Sequence, residues 1–300
     1  MSVIDNVSKD TMVNIHFLYA DIVKPISKEE RNNWFEMARI SLHKCNANIK
    51  FYDVSDKMYL LDGQNIGMWG KEISLTHYIY LLAPLVLDVD KVIYLDTDMI
   101  VNTDLSVVYN INMEEKLLAM GAPRGFEEMG DDVSNSGFVI LNLEQWKKED
   151  TLNTLLEFGR NLERCLFCDQ NLLYQYFTRI HKNRLLLVEK EYNIFPQLFP
   201  ELSLNDIKIL HYTGYEHIKP WIDIKDKQRF GNLWWYYARK TPFYERCLLK
   251  IVELETEELL KNTKILTVSK FTYYRYKILS KILWGEKRKK YKQKYKANWI

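Results

Sequence analysis

Residues 92–101 read Val-Ile-Tyr-Leu-Asp-Thr-Asp-Met-Ile-Val. Four apolar or aromatic residues, Val92 to Leu95, run into Asp96, Thr97 and Asp98. Such a run reads as a buried strand, and the acids mark where it leaves the sheet. Side chains alternate along extended backbone, so Asp96 and Asp98 share a side and can converge on one ion. Oxygen donors suit a hard cation, Mn²⁺ or Mg²⁺, which keeps coordination positions for substrate phosphates. An Asp-x-Asp pair is common, and alone it equally describes an exposed turn after a buried strand.

On both sides of this stretch, short β-rich runs alternate with longer helical patterns. Strands are predicted at 13–19, 49–54, 91–95, 117–121, 137–141, 184–188 and 207–211, and helices at 27–42, 73–86, 143–162, 169–177 and 242–261. This alternation implies an α/β fold with a mixed, mostly parallel sheet covered on both faces. Ligands on such sheets sit beyond the carboxyl ends of strands, where Asp96 and Asp98 fall.

The 300 residues carry a net charge of +2, unevenly spread. Residues 264–300 hold twelve Lys/Arg against one acid, a net +11, which leaves −9 on the preceding 263. Tyr, Trp, Ile and Leu are interleaved with these bases at helical spacing, so 264–300 reads as a basic amphipathic tail behind a 1–263 domain. An anionic membrane surface is the expected partner; no recognition motif accompanies the bases, so nucleic acid is not. Four cysteines are too few for a disulfide framework, and Cys165-x-x-Cys168 lacks a second pair that would make a zinc site. The start has no signal-peptide pattern, and the longest apolar run, nine residues from Ile79, is far short of the ~20 that span a bilayer.

Three further segments turn the acid pair into a pattern. They are Asn135-Ser136-Gly137-Phe138-Val139-Ile140-Leu141-Asn142-Leu143 followed by Trp146, then Asp169-Gln170, then His211-Tyr212-Thr213-Gly214 with Lys219-Pro220-Trp221. With residues 92–101 they resemble, in order and spacing, the motifs of family 8 glycosyltransferases, which are retaining enzymes of the GT-A nucleotide-sugar-binding fold. The resemblance covers roughly residues 1–225. It implies that Asp96, Asp98 and His211 ligate the metal, and that Gly214 and Lys219 contact the diphosphate. It further places Asn135, Ser136, Gly137 and Asp169 against the donor sugar, with Gln170 beside the anomeric carbon. Asp169 and Gln170 are thus the catalytic candidates; Asp169 also suits the start of a helix.

Two departures from the family stand out. Members usually begin with a strand ending in paired acids, whereas here Met1 to Asn6 resembles the end of the helix that follows it. The start then lies upstream, or the chain is a remnant with an open sheet edge. Tyr80 also stands where the family usually has a donor-binding Arg.

The resemblance therefore implies transfer of glucose or galactose from a UDP-sugar to a saccharide or lipid-linked acceptor, in lipopolysaccharide or cell-surface glycan synthesis. The expected location is the cytoplasmic face of the membrane. The competing expectation is an inactive homologue or truncated remnant acting only at the membrane surface.

Overall fold

The β-branched and aromatic run Val13–Tyr19 is strand β1, entered from a short helix α1 (Ser2–Asn6). The computed structural model describes residues 1–21, 26–64, 67–68, 71–72, 74–122, 134–162, 167–213, 219–222 and 229–297. Helix α2 (Lys28–Leu42) follows, capped by Ser27, whose Oγ accepts the Glu30 N–H at 3.0 Å. It leads into β2 (Ala47–Asp53), which lies parallel to β1 along its whole length, Val13 opposite Ala47 and Tyr19 opposite Asp53. Among the described residues β2 is the only strand bonded to β1. A two-residue pair, β3 (Gly67–Met68) and β4 (Lys71–Glu72), comes next.

The helix expected over 73–86 is instead a 3-10 run, Leu75–Leu82, turning into a single α turn, α3 (Ala83–Val86). Pro84 has no N–H to offer the Tyr80 carbonyl, which accepts from Ala83 instead and keeps the tighter winding.

Strand β5 (Lys91–Leu95) delivers the two acids, and the chain resumes as β6 (Met99–Val101), a strand too short for the sequence pattern to separate from the motif. Helix α4 (Leu105–Tyr109) leads to β7 (Leu118–Gly121), and β8 (Phe138–Asn142) follows. Every residue of β7 and β8 is buried, as their unbroken apolar runs require. Val139 and Leu141 face one core cluster with Leu118 and Met120, while Phe138 and Ile140 face another with Ala119 and Ile209.

The helix expected over 143–162 is two, α5 (Leu143–Lys148) and α6 (Thr151–Arg160). Asp150 between them is left-handed at φ 52°, a conformation an aspartate tolerates and a helix does not. Trp146 on α5 donates its indole N–H to the Leu117 carbonyl at 2.8 Å, pinning the helix to the sheet.

Helix α7 (Asp169–Gln175) runs into one turn of π-helix, and β9 (Leu185–Val188) and β10 (Ile209–His211) complete the sheets. The main sheet has the order β5-β8-β7-β9 and is mixed: β9 runs parallel to β7, and β8 runs antiparallel to both its neighbours. Strand β10 pairs antiparallel with β6, setting His211 opposite Met99.

Helix α8 (Gly231–Ala238) precedes a 39-residue helix, α9 (Tyr244–Ile282), and then α10 (Gly285–Ala297). The chain divides into two compact units. One is Met1–Pro220 with Lys225–Tyr244, and the other is Trp221–Ile224 with Glu245–Ile300. The charge pattern changes at 264, but α9 runs unbroken across that point, since no Gly or Pro interrupts it. Within the helical unit the Tyr276 and Tyr291 rings lie 5.9 Å apart, so α10 returns against α9.

Candidate functional site

Asp96 and Asp98 leave the end of β5 as their sequence requires. Asp96 donates its backbone N–H to the Gly137 carbonyl at 2.8 Å, and the Asp98 carbonyl accepts the Tyr212 N–H at 2.9 Å. These bonds tie both acids to the segments that carry Gly137 and His211. The His211 ring is 1% exposed, with Nε2 at 3.1 Å from an Asp98 oxygen and 3.4 Å from an Asp96 oxygen. One donor atom from each of the three residues falls within a 4.8 Å span. Adjacent corners of an octahedron about 2.1 Å from a divalent cation are about 3 Å apart. The donor set and its spacing therefore fit such a cation.

The charges around this cluster are strongly perturbed. Burial pushes Asp98 up, but hydrogen bonds and charge from His211 and Lys219 outweigh it and hold the carboxyl at about 2. Burial pushes His211 down, and its hydrogen bonds to Asp96 and Asp98 raise it more. Lys219 places its ammonium 2.6 Å from Asp98 and also bonds the Tyr212 carbonyl. Burial lowers His77 against the pull of Asp96 and Asp98, so this ring lies within electrostatic reach of both acids.

The second half of the site adjoins the first. Asp169, at the start of α7, is 3% exposed and accepts the Tyr80 hydroxyl at 2.9 Å. Burial raises its carboxyl to about 7, with Asp96 adding to the shift and hydrogen bonds from Ser136 and Tyr80 opposing it. Tyr80 thus reaches Asp169 without supplying a charge. Its ring stacks at 4.0 Å on that of Tyr94, whose hydroxyl bonds Asp96. Tyr94, inside the quoted strand, was not singled out by its sequence; aromatic residues in strands are ordinary.

Asn135 donates from Nδ2 to Gln170 Oε1 at 3.0 Å and accepts the Gly137 N–H at 2.9 Å. Gly137 has a specific reason to lack a side chain. A Cβ there would lie 2.4 Å from His211 Cε1 and 2.8 Å from Nδ1, so the open face of Gly137 is filled by the His211 ring. Asn193, which no sequence motif marked, bonds both Asn135 and His211.

The structure thus gathers Asp96, Asp98, His211, Lys219, Asn135, Ser136, Gly137, Asp169 and Gln170 around one cluster. Gly214 and Cys165 lie outside the described residues. Cys168 is buried where α7 begins, in keeping with a packing role.

The model named "Glycosyl transferase family 8" matches residues 2–225. The glycosyltransferase GlyB of Streptococcus pneumoniae serotype 4 is 27% identical over 225 residues, covering 69% of this chain and 52% of GlyB. The chain spans about half the length, or less, of the pneumococcal relatives it matches. In fold it is similar to an active-site mutant of LgtC, with a TM-score of 0.63 at 21% identity over 80% of this chain and 89% of that one. The pneumococcal glycosyltransferase GlyE is similar with a TM-score of 0.53 at 22% identity, over 83% of this chain and 58% of that one.

Proposed function

The chain belongs to glycosyl transferase family 8, and from that premise we propose that it is a retaining hexosyltransferase, moving glucose or galactose from a UDP-sugar to a saccharide or lipid-linked hydroxyl. The observation that carries the reading is the convergence of Asp96, Asp98 and His211 within 4.8 Å, bordered by Asp169 and Gln170. Asp96, Asp98 and His211 would hold Mn²⁺ or Mg²⁺. Bound there, the cation supplies positive charge that stabilises a departing diphosphate. Lys219, beside Asp98, adds a second positive charge on that side.

Asn135, Ser136, Gly137 and Asp169 line the donor-sugar side. The Asp169 carboxyl, already bonded by Tyr80 and Ser136, is positioned to hold sugar hydroxyls. Gln170 lies next to it with its amide oxygen accepting from Asn135. An amide oxygen already engaged in this way is a poorer nucleophile. This favours attack by the acceptor hydroxyl on the face the diphosphate leaves, with Gln170 stabilising positive charge at the anomeric carbon. The anomeric carbon–phosphate oxygen bond breaks, the new glycosidic bond forms, and the hydroxyl proton passes to the departing phosphate oxygen.

Lipopolysaccharide or cell-surface glycan synthesis on the cytoplasmic face of the membrane supplies such acceptors. The helical unit supports this placement. Tyr274, Ile278 and Ile282, spaced four apart along α9, are each more than half exposed, and Trp284 is 88% exposed. Arg275, Lys277 and Lys281 are interspersed with them, a combination suited to an anionic lipid surface. No described helix is long and apolar enough to cross a membrane.

Release of UDP from UDP-glucose and UDP-galactose, measured with and without Mn²⁺, tests the reading. Turnover depends on Mn²⁺, and Asp96→Ala or Asp98→Ala lowers it about 100-fold or more. Absence of metal-dependent turnover, with UDP binding unchanged in both variants, would refute the reading and leave the inactive homologue.

A further inference from the structure

Asn193 has no part in the roles above, yet it sits between them. It ends the 3-10 turn Lys190–Tyr192, and the next residue, Ile194, bridges to β10. The Ile194 N–H donates to the Ile209 carbonyl at 3.0 Å, and the His211 N–H to the Ile194 carbonyl at 2.8 Å. That crossing sets the Asn193 side chain beside the His211 ring.

The bonds along this line have only one consistent direction. A backbone N–H can only donate, so the Gly137 N–H makes its partner on Asn135 the carbonyl oxygen Oδ1. The Asn135 amide group Nδ2 is then the donor to Gln170 Oε1. Asn193 faces two acceptors on Asn135, Oδ1 at 2.8 Å and the backbone carbonyl at 3.2 Å, so it presents Nδ2 to them. Its Oδ1 is left facing His211 Nδ1 at 2.9 Å, and Nδ1 must carry the hydrogen. Nε2, between Asp96 and Asp98, is then the nitrogen that gives up its proton when a cation binds, leaving its lone pair directed to the cluster.

We infer that Asn193 is a positioning residue that fixes His211 with Nε2 directed to the metal cluster and, through Asn135, fixes the Gln170 amide oxygen at the reaction centre. The inference rests on the glycosyltransferase reading and deepens it. A partner carbonyl or carboxylate that orients a ligating histidine typically contributes 10–100-fold in metal affinity or activity. Asn193 adds a second function, because its amide donates on the opposite side.

Aspartate separates the two functions. Asn193→Asp still accepts from His211 Nδ1 but cannot donate to Asn135; Asn193→Ala does neither. Mn²⁺ affinity of the full chain, read from the electron paramagnetic resonance signal of free Mn²⁺, is measured beside kcat and KM for the UDP-sugar. Asn193→Ala weakens Mn²⁺ binding about 10–100-fold and lowers kcat. Asn193→Asp binds Mn²⁺ as tightly as wild type or tighter, yet loses kcat about as far as the alanine variant. Wild-type Mn²⁺ affinity in Asn193→Ala, or equal loss of affinity in both variants, overturns the positioning role alone. Failure of the unaltered chain to bind Mn²⁺ overturns the glycosyltransferase reading itself.

Discussion

Replacing Gly137 by alanine tests whether the metal cluster is packed as tightly as its geometry implies. The added methyl would meet His211 Cε1 at 2.4 Å, His211 Nδ1 at 2.8 Å and the Met99 methyl at 2.8 Å, where ordinary contacts are 3.4–4 Å. The Met99 side chain can turn aside, but the His211 ring cannot. It is 1% exposed, held edge-on by Phe195 with ring centroids 5.3 Å apart, and bonded to Asn193 at 2.9 Å. Relieving the overlap requires the ring to move by about 1 Å, enough to break the Asn193 bond and carry Nε2 away from the acids. Overpacking of this kind costs about 1–3 kcal/mol, and the lost hydrogen bond about 1 more. The expected result is a lower Tm together with a fall in Mn²⁺ affinity of about 10-fold or more, as for loss of a group that orients a ligand. Calorimetry and a Mn²⁺ titration read the two effects. Gly121→Ala is the matched control, because its methyl would meet only the Asn193 Cβ at an ordinary 3.6 Å. Wild-type stability and Mn²⁺ affinity in Gly137→Ala would refute the close packing of His211.

Asp169 yields a pH-dependent test. Burial raises its carboxyl from 3.8 to about 7, so the folded chain holds this proton more tightly than the unfolded one. The stability it contributes is full below about pH 4 and is lost as pH rises through 7, on the order of 4 kcal/mol in all. Asp169→Asn should therefore raise Tm over the metal-free wild type more at pH 8 than at pH 5, while abolishing turnover; an equal effect at both values would argue against the buried acid. Tyr80→Phe removes one donor to that carboxyl, so the ionisation seen in the pH–rate profile should move upward and stability fall by about 1 kcal/mol, and an unmoved profile would count against the contact. Deletion of 264–300 should reduce sedimentation with anionic but not neutral vesicles, and Trp284→Ala should reproduce part of the loss; binding that survives the deletion would remove the tail from membrane contact.

Much of the fold was legible because its strands are compositionally distinct. Residues 13–19 and 91–95 form strands with the expected ends, since each is a short β-rich run bounded by polar residues. What escaped depends on single backbone choices or on distant partners. The break between α5 and α6 turns on the left-handed Asp150, and a lone aspartate inside an amphipathic pattern does not announce that conformation. The antiparallel placement of β8 is equally invisible locally, because an unbroken apolar run satisfies burial in either direction. Lys264 marked a change in charge, and charge does not end a helix.

The site divides along the same line. Asp96, Asp98, Asp169, Gln170 and His211 stand out because their segments form an ordered pattern, and β5, α7 and β10 bring them together. Asn193 lies 58 residues from Asn135 and 18 from His211, and an asparagine after a turn is unremarkable in any sequence. Its importance arises only from alternation of donor and acceptor through space. The Gly137 N–H sets Asn135, Asn135 sets Gln170 on one side and Asn193 on the other, and Asn193 sets His211. Substitutions along this line should therefore be tolerated by the direction of the hydrogen bond each residue supports, rather than by size or polarity. An acceptor suffices toward His211, whereas the Asn135 position requires both an acceptor and a donor, which among side chains of that length only asparagine provides.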